Sequence, residues 1–281
     1  MKVILLLIFS LCSWAVNGQI INASSPYRYI NRGCTPDSDA QAFIDSTGIS
    51  GTEAAAICVL VSDLKANSLW AKFIAIYPFV GSTASSQKWN LKNPQNTDAA
   101  FRLTFSGTWS HTSGGADPST ASFATTYIES STDLSQDSKH LSYYSTENNG
   151  TVGGDIGNNA INAGAIDAIF INGGGGSTYW YLSDLANNNA SNANTSGFYI
   201  ASRTASNATA IYKNGSSLGS DTDASTGNPG TTIVLGAANG PQYGQRNCVF
   251  ASIGSGLTSG EASTLNTIVE KFQDALGRGV Q

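Results

Sequence analysis

The sequence predicts a mostly β protein, a β-sandwich with helices at both ends, and three observations predict it. Beyond residue 95 the chain breaks into short apolar runs separated by Gly, Asn, Ser and Asp clusters, the spacing of an all-β sandwich or barrel. Charged residues make up 12% of the 281, half the roughly 25% of an average soluble domain. Amphipathic 3.6-residue periodicity is confined to residues 37–66 and 257–277.

At the N-terminus Lys2 precedes an apolar stretch over residues 3–11 that continues through Trp14 and Val16, and Gly18 offers a small-residue cleavage point. Residues 1–18 therefore read as a secretory signal peptide. A helix of about 14 apolar residues rises roughly 21 Å, short of the ~30 Å hydrocarbon core, which weighs against a membrane anchor. Leu11 before Cys12 weighs against a lipid anchor, and no later segment is apolar enough to span. A secreted, extracellular single domain over residues 19–281 is expected.

Signal cleavage would leave Cys34, Cys58 and Cys248. An oxidising compartment pairs two of them, and three pairings are open. Cys58 falls on the apolar stripe of a helix, where a cysteine acts as a small hydrophobe. Cys34 and Cys248 adjoin turn-like Gly33 and Asn247, so the favoured bond is Cys34–Cys248.

Taken in order, residues 37–46 place Ala40, Phe43 and Ile44 at helical spacing, with Gly48 as a stop. In a second helix Ser50 and Glu53 have capping-box spacing, and Ile57, Leu60, Val61 and Leu64 repeat at i, i+3, i+4, i+7. From Leu69 to Val80 a run rich in aromatic and β-branched residues predicts a central, well-buried strand. Further strands are expected at residues 99–105, 122–129, 140–145, 166–171, 178–182, 197–203, 208–213, 231–237 and 247–253. Asn214-Gly215 tolerates positive φ at both positions and predicts a tight hairpin. Residues 148–164, 173–176 and 187–196 read as rim loops. Thr258 and Glu261 form a second capping box, after which Leu265, Ile268, Val269, Phe272 and Leu276 make one apolar face and Gly277 a stop. That face needs a partner, and a sheet face is the obvious one.

The ending carries a resemblance. Tyr199-Ile200-Ala201-Ser202-Arg203-Thr204, Ile211-Tyr212-Lys213-Asn214-Gly215, Ile233-Val234-Leu235-Gly236-Ala237 and Ala251-Ser252-Ile253-Gly254 with Leu257-Thr258 and Glu261-Ala262 follow in order. This series resembles the C-terminal half of a concanavalin A-like, laminin-G-like jelly roll, over residues 197–277. With the segment from Cys34 through Asn90 it is similar to concanavalin-like proteins of bacteriophage and environmental sequences. The resemblance implies a jelly roll; it implies no single activity, because the fold hosts lectins, glycosidases and structural modules.

Composition and motifs exclude several functions. With a net charge of −5 and no Lys/Arg run, no nucleic-acid partner is expected. Two His and four Cys offer no cluster for zinc or haem, Asp221 and Asp223 are too few for calcium, and no cofactor is expected. Glycosidases need two carboxylates held at a set separation, whereas Asp133, Asp137, Asp167, Asp221 and Asp223 are scattered. His111 and His140 adjoin no nucleophile motif.

The expectation is thus a non-catalytic carbohydrate-binding or adhesive module with a glycan partner. A structural protein of a virion or extracellular filament is the alternative. Sugars are held by an aromatic face and a few placed polar groups. Tyr179-Trp180-Tyr181 alternates across a strand, so either Trp180 or the two tyrosines point away from the core; Trp109 with His111 forms a similar pair. These five are the candidate ligand-binding residues. Asn-x-Ser/Thr triplets at Asn22, Asn149, Asn189, Asn194, Asn207 and Asn214 are acceptors for glycans in a eukaryotic secretory pathway.

Overall fold

The computed structural model describes residues 37–158, 164–238, 240 and 242–280. The signal-peptide segment, Cys34 and the Asn22 triplet lie outside the described residues.

Helix α1 (Ser38–Thr47) starts where the Asp37 carboxylate accepts from the Asp39 N–H at 3.0 Å, and it stops at Gly48, whose φ of 70° is left-handed. Helix α2 (Gly51–Ala66) forms as expected, but its capping box does not. Glu53 accepts instead from the Gly81 N–H at 2.7 Å, a tertiary donor outcompeting the local one. Short helices α3 (Ala84–Gln87) and α4 (Ser130–Asp133) lie between strands. Helix α5 (Ser259–Ala275) carries the reciprocal Thr258–Glu261 box, and Gly277 takes a φ of 69° just beyond it.

The strands are β1 (Phe73–Tyr77), β2 (Thr104–Ser106), β3 (Trp109–Thr112), β4 (Gly115–Pro118), β5 (Phe123–Glu129), β6 (Lys139–Ser145), β7 (Ile156–Asn158), β8 (Ile166–Gly174) and β9 (Ser177–Asp184). They continue with β10 (Asn189–Ser191), β11 (Gly197–Ala205), β12 (Ala208–Lys213), β13 (Ser216–Asp221), β14 (Thr232–Leu235), β15 (Ala237–Ala238), β16 (Gln242–Tyr243) and β17 (Phe250–Gly254). A six-stranded inner sheet has the order β1-β17-β6-β11-β12-β13, and a seven-stranded outer sheet the order β10-β9-β8-β7-β14-β5-β2. The main sheets are antiparallel throughout, as a mostly β sandwich requires.

Alternation along the inner strands builds three layers. Tyr144, Phe198, Ile200, Tyr212 and Phe250 point to one side and pack with α1, α2 and α5. Tyr143, Tyr199, Ala201, Ile211 and Ala251 point to the other and meet Ile156, Ile169, Ile171, Leu182 and Ile233 of the outer sheet. The inner sheet is therefore covered on both faces, and β6 is buried at every position. Two buried ion pairs cross the sandwich, Lys139 to Asp167 at 2.8 Å and Arg203 to Asp184 at 2.5 Å. Further hydrogen bonds, Ser183 N–H to Asp167, Lys139 Nζ to Asn228 Oδ1 and Arg203 Nε to the Leu182 carbonyl, compensate part of the desolvation.

One expectation is corrected. The run from Leu69 to Val80 is not a central strand: Trp70–Lys72 is a 3-10 turn and β1 is an edge of the inner sheet. It reads as central because its edge is covered, with Asn90 accepting from the Ile76 N–H at 3.0 Å and donating to the Ile74 carbonyl at 3.2 Å. The favoured Cys34–Cys248 bond involves Cys34, which lies outside the described residues. Cys248 is a fully buried thiol whose Sγ–H is directed to the Phe250 carbonyl at 3.5 Å, and burial pushes its pKa up. The Asn214-Gly215 hairpin is as expected, with φ of 52° and 74°.

Candidate functional site

The strand Trp109–Thr112 pairs with Gly115–Pro118 as a hairpin outside the two main sheets, setting Trp109 opposite Pro118 and Ser110 opposite Asp117. Beside it lies a groove of about 390 Å³ lined by Thr108, Trp109, Ser110, Asp117, Pro118, Ser119, Glu147, Asn149 and Gln245. Its far wall comes from two loops, 146–155 and 244–247, held by one buried ion pair. Arg246 meets Asp155 at 3.0 Å with both side chains fully buried. The guanidinium also donates to the carbonyls of Asn149, Thr151 and Gly244. Asp155 in turn accepts from the Ile171 N–H of β8 at 2.7 Å, so the wall is fastened to the outer sheet. Burial raises the Asp155 pKa while Arg246 works against that rise. Gly153 lets the loop pass close to its neighbour, since a Cβ there would sit 2.1 Å from the Tyr243 carbonyl oxygen.

On this wall the Glu147 carboxylate accepts from the Asn247 N–H and from Asn149 Nδ2, both at 3.1 Å. Gln245 is held left-handed at φ 49°, a conformation disfavoured outside Gly and Asn. It is pinned there by Thr120 Oγ1 donating to its Oε1 at 3.2 Å and Asn149 Nδ2 donating to its carbonyl at 3.3 Å. Across the groove Asp117 is exposed. Burial by the surrounding protein and then the negative charge of Glu147 raise its pKa.

Of the expected ligand-binding residues, Trp109 lines this groove. Its indole is braced: Nε1 donates to the Ser106 carbonyl at 3.1 Å and the ring meets Phe105 edge-on at 5.1 Å. His111 supports it from behind, stacked at 6.3 Å, with Nδ1 2.7 Å from Gln87 Oε1. Gln87 Nε2 donates to the carbonyls of Gly81 and Thr112, so Oε1 is the acceptor and Nδ1 carries the proton. Burial lowers the His111 pKa.

Trp180 is corrected. It is 2% exposed and lies in the core between the sheets, so it offers no ring to a ligand. Alternation then turns Tyr179 and Tyr181 to the other face of the outer sheet, half-buried beside Phe170, Ala168 and Ile166. The Tyr181 hydroxyl donates to Asn187 Oδ1 at 3.1 Å. The structure thus separates the five residues: Trp109 and His111 belong to the hairpin, Tyr179 and Tyr181 to the outer sheet face, and Trp180 to the core.

Asp117, Glu147, Asn149 and Gln245 escaped sequence reasoning. Gly114-Gly115 after Ser113 was the available turn signal that would have set Asp117 opposite Ser110. A smaller hollow of about 270 Å³ at the start of α5, lined by residues such as Ser202, Ala208, Tyr212 and Thr258, has no charged or amide side chain. Among the described residues no group of three or more His, Cys, Asp or Glu is placed to hold a metal ion, and no helix is long and apolar enough to cross a membrane.

No family model matches the sequence, and no curated protein sequence matches it. Solved structures do resemble the fold. Domain 4 of AbnA, an extracellular arabinanase from Geobacillus stearothermophilus, in complex with arabinotriose, gives a TM-score of 0.50 at 16% identity, over 69% of this chain and 98% of that one. A Trypanosoma rangeli sialidase in complex with 2,3-difluoro-KDN gives a TM-score of 0.51 at 10% identity, over 75% of this chain and 34% of that one. At these identities the likeness is one of fold, a β-sandwich.

Proposed function

We propose that the chain is a secreted, non-catalytic carbohydrate-binding module of the concanavalin-like type, with its ligand in the groove beside Trp109. The observation that carries this reading is the groove's lining, which sets one braced indole among carboxylates, amides and hydroxyls. An aromatic ring with a few convergent polar groups is the arrangement that holds a sugar by its C–H face and its hydroxyls. Pinned loops supply the polar groups, which lowers the ordering cost of binding. The likeness of the fold to a domain solved with arabinotriose supports the ligand class.

A binding role rather than hydrolysis fits the engagement of the acidic groups. Glu147 is fixed as an acceptor by two N–H donors, and His111 is turned to Gln87, which leaves Asp117 as a single carboxylate in the lining without such a donor, where glycoside hydrolysis uses a pair at a set separation. A glycan array probed with the full chain tests the reading, followed by incubation of any bound glycan with the protein. Binding without cleavage, weakened by Gln245→Ala at unchanged melting temperature, is expected. An array without hits would refute the module, and cleavage of the bound glycan would refute its non-catalytic character.

A further inference from the structure

Three buried carboxylates in this sandwich each meet a cation, and the cations differ. Asp184 and Asp155 pair with Arg203 and Arg246, whereas Asp167 pairs with Lys139, the one buried lysine among the described residues. A guanidinium stays charged in such a pair, while a desolvated ammonium gives up its proton and becomes a nucleophile. Burial lowers the Lys139 pKa against the pull of Asp167.

Lys139 also faces a group that an amine attacks. Its Nζ lies 2.6 Å from Asn228 Oδ1, in the loop before β14, so Asn228 Cγ, one carbonyl bond further, is at most about 3.8 Å away, close to the roughly 3–3.5 Å of a near-attack pair. Ser183 of β9 completes the setting. Held left-handed at φ 61°, a conformation disfavoured for serine, it donates its N–H to Asp167 Oδ1 at 2.6 Å and its hydroxyl to Asn228 Oδ1 at 2.9 Å. Asn228 Oδ1 thus has two donors, the arrangement that stabilises an oxyanion. The Asn228 amide nitrogen is held apart from them by donating to the Leu134 carbonyl at 2.9 Å. Pro229 follows and has no N–H, so the backbone nitrogen that ordinarily cyclises onto an asparagine side chain cannot compete.

We infer that Lys139 and Asn228 join in an isopeptide bond that the folded chain closes by itself, with Asp167 carrying the protons. This is independent of the carbohydrate-binding reading. Asp167 takes a proton from the Lys139 ammonium. The electron pair of Nζ then attacks Asn228 Cγ, and the carbonyl pair moves onto Oδ1 beside the Ser183 hydroxyl. Asp167 returns its proton to the amide nitrogen and takes one from Nζ; the Cγ–Nδ2 bond breaks, the carbonyl re-forms and ammonia leaves. Amine and carboxamide become one secondary amide and ammonia, with nothing oxidised or reduced. Asn228 is only half-buried, which gives the ammonia a way out. The product holds no ions, because Asp167 ends as a neutral acid, so the desolvation cost of the buried pair is relieved. The bond ties β6 to the loop before β14.

Peptide mapping of the purified full chain, unfolded and digested with trypsin, tests this. Trypsin needs a free lysine ammonium, so cleavage after Lys139 should be lost, and a branched peptide should join Lys139 to Asn228 at a mass one ammonia below that of its two parts. Reducing agents should leave the branch intact. On a denaturing gel the wild type should run ahead of Asn228→Ala, because a closed loop keeps the unfolded chain compact. Asp167→Asn should restore cleavage after Lys139, with both segments at their sequence masses. Cleavage after Lys139 in the wild type, with Asn228 recovered in a separate peptide as asparagine or as aspartate, would overturn the bond, and that result depends on no variant folding. A branch that persists in Asp167→Asn would overturn the role given to Asp167, and a branch to any residue other than Asn228 would overturn the pairing.

Discussion

The indole of Trp180 on the outer sheet rests on Gly219 of the inner sheet, where a Cβ would lie 2.7 Å from the ring. Strand β13 can close over β9 only because position 219 has no side chain. Trp180→Ala should therefore cost about 3–5 kcal/mol, the range for emptying a core aromatic site, in denaturant unfolding. Tyr181→Ala, half-buried on the opposite face, should cost clearly less. Equal losses would mean that both faces of β9 are core.

Docking of α5 gives a second prediction. Phe272 is 3% exposed and meets the Phe250 ring at 6.4 Å, so Phe272→Ala should also cost about 3–5 kcal/mol. Glu270 makes a poor control because it interacts with the Tyr144 hydroxyl, whose pKa burial and Glu270 together raise. Thr267, which is exposed and bonds only back along its own helix to Ser263 at 3.1 Å, is the proper one, and Thr267→Ala should change stability by under about 0.5 kcal/mol.

The groove depends on a pair of residues beneath it. Asp155→Asn leaves the Arg246 guanidinium buried without its counter-charge, a loss of about 3–5 kcal/mol. It also releases the carbonyls that set Asn149 and Gln245. Thermal unfolding should register the first effect and loss of glycan binding the second. Retained binding at full affinity would mean that the far wall stands without this pair.

How much of this was legible in the sequence follows from what each signal measures. Helices α1, α2 and α5 were legible because periodicity reports one-sided burial. Strands such as β5, β8 and β12 were legible because their apolar runs end at turn residues. The central position expected for residues 69–80 failed because burial does not distinguish a central strand from an edge covered by Asn90. Short strands β3, β4, β10 and β13 carry too few apolar residues to register. The site was legible only at Trp109 and its support His111. Asp117, Glu147 and Gln245 lie far apart in sequence, and only tertiary structure, through the buried Arg246–Asp155 pair, brings them to one groove.

The last prediction concerns pH. His140 is fully buried between the inner sheet and the helices, with its ring nitrogens 2.7 Å from the Ser255 carbonyl and 3.1 Å from Ser252 Oγ. Burial depresses its pKa to about 4, whereas an unfolded histidine titrates near 6.5. Between these values the unfolded chain binds the proton and the folded one does not, so His140 withdraws about 3 kcal/mol of stability as pH falls through that window. Asp184 works in the opposite sense. Burial raises its pKa to about 6 despite Arg203, above the ordinary carboxylate value near 3.9, so its contribution is fully present below that value and is lost as pH rises through 6. The two windows overlap and their slopes oppose, so each group masks part of the other's effect between about pH 4 and 6. His140→Gln should unmask Asp184, giving a protein that gains stability on acidification, and Asp184→Asn should unmask His140, giving one that loses it. Urea unfolding of both variants across this range checks the pair, and parallel slopes in the two would refute the assignment of either group.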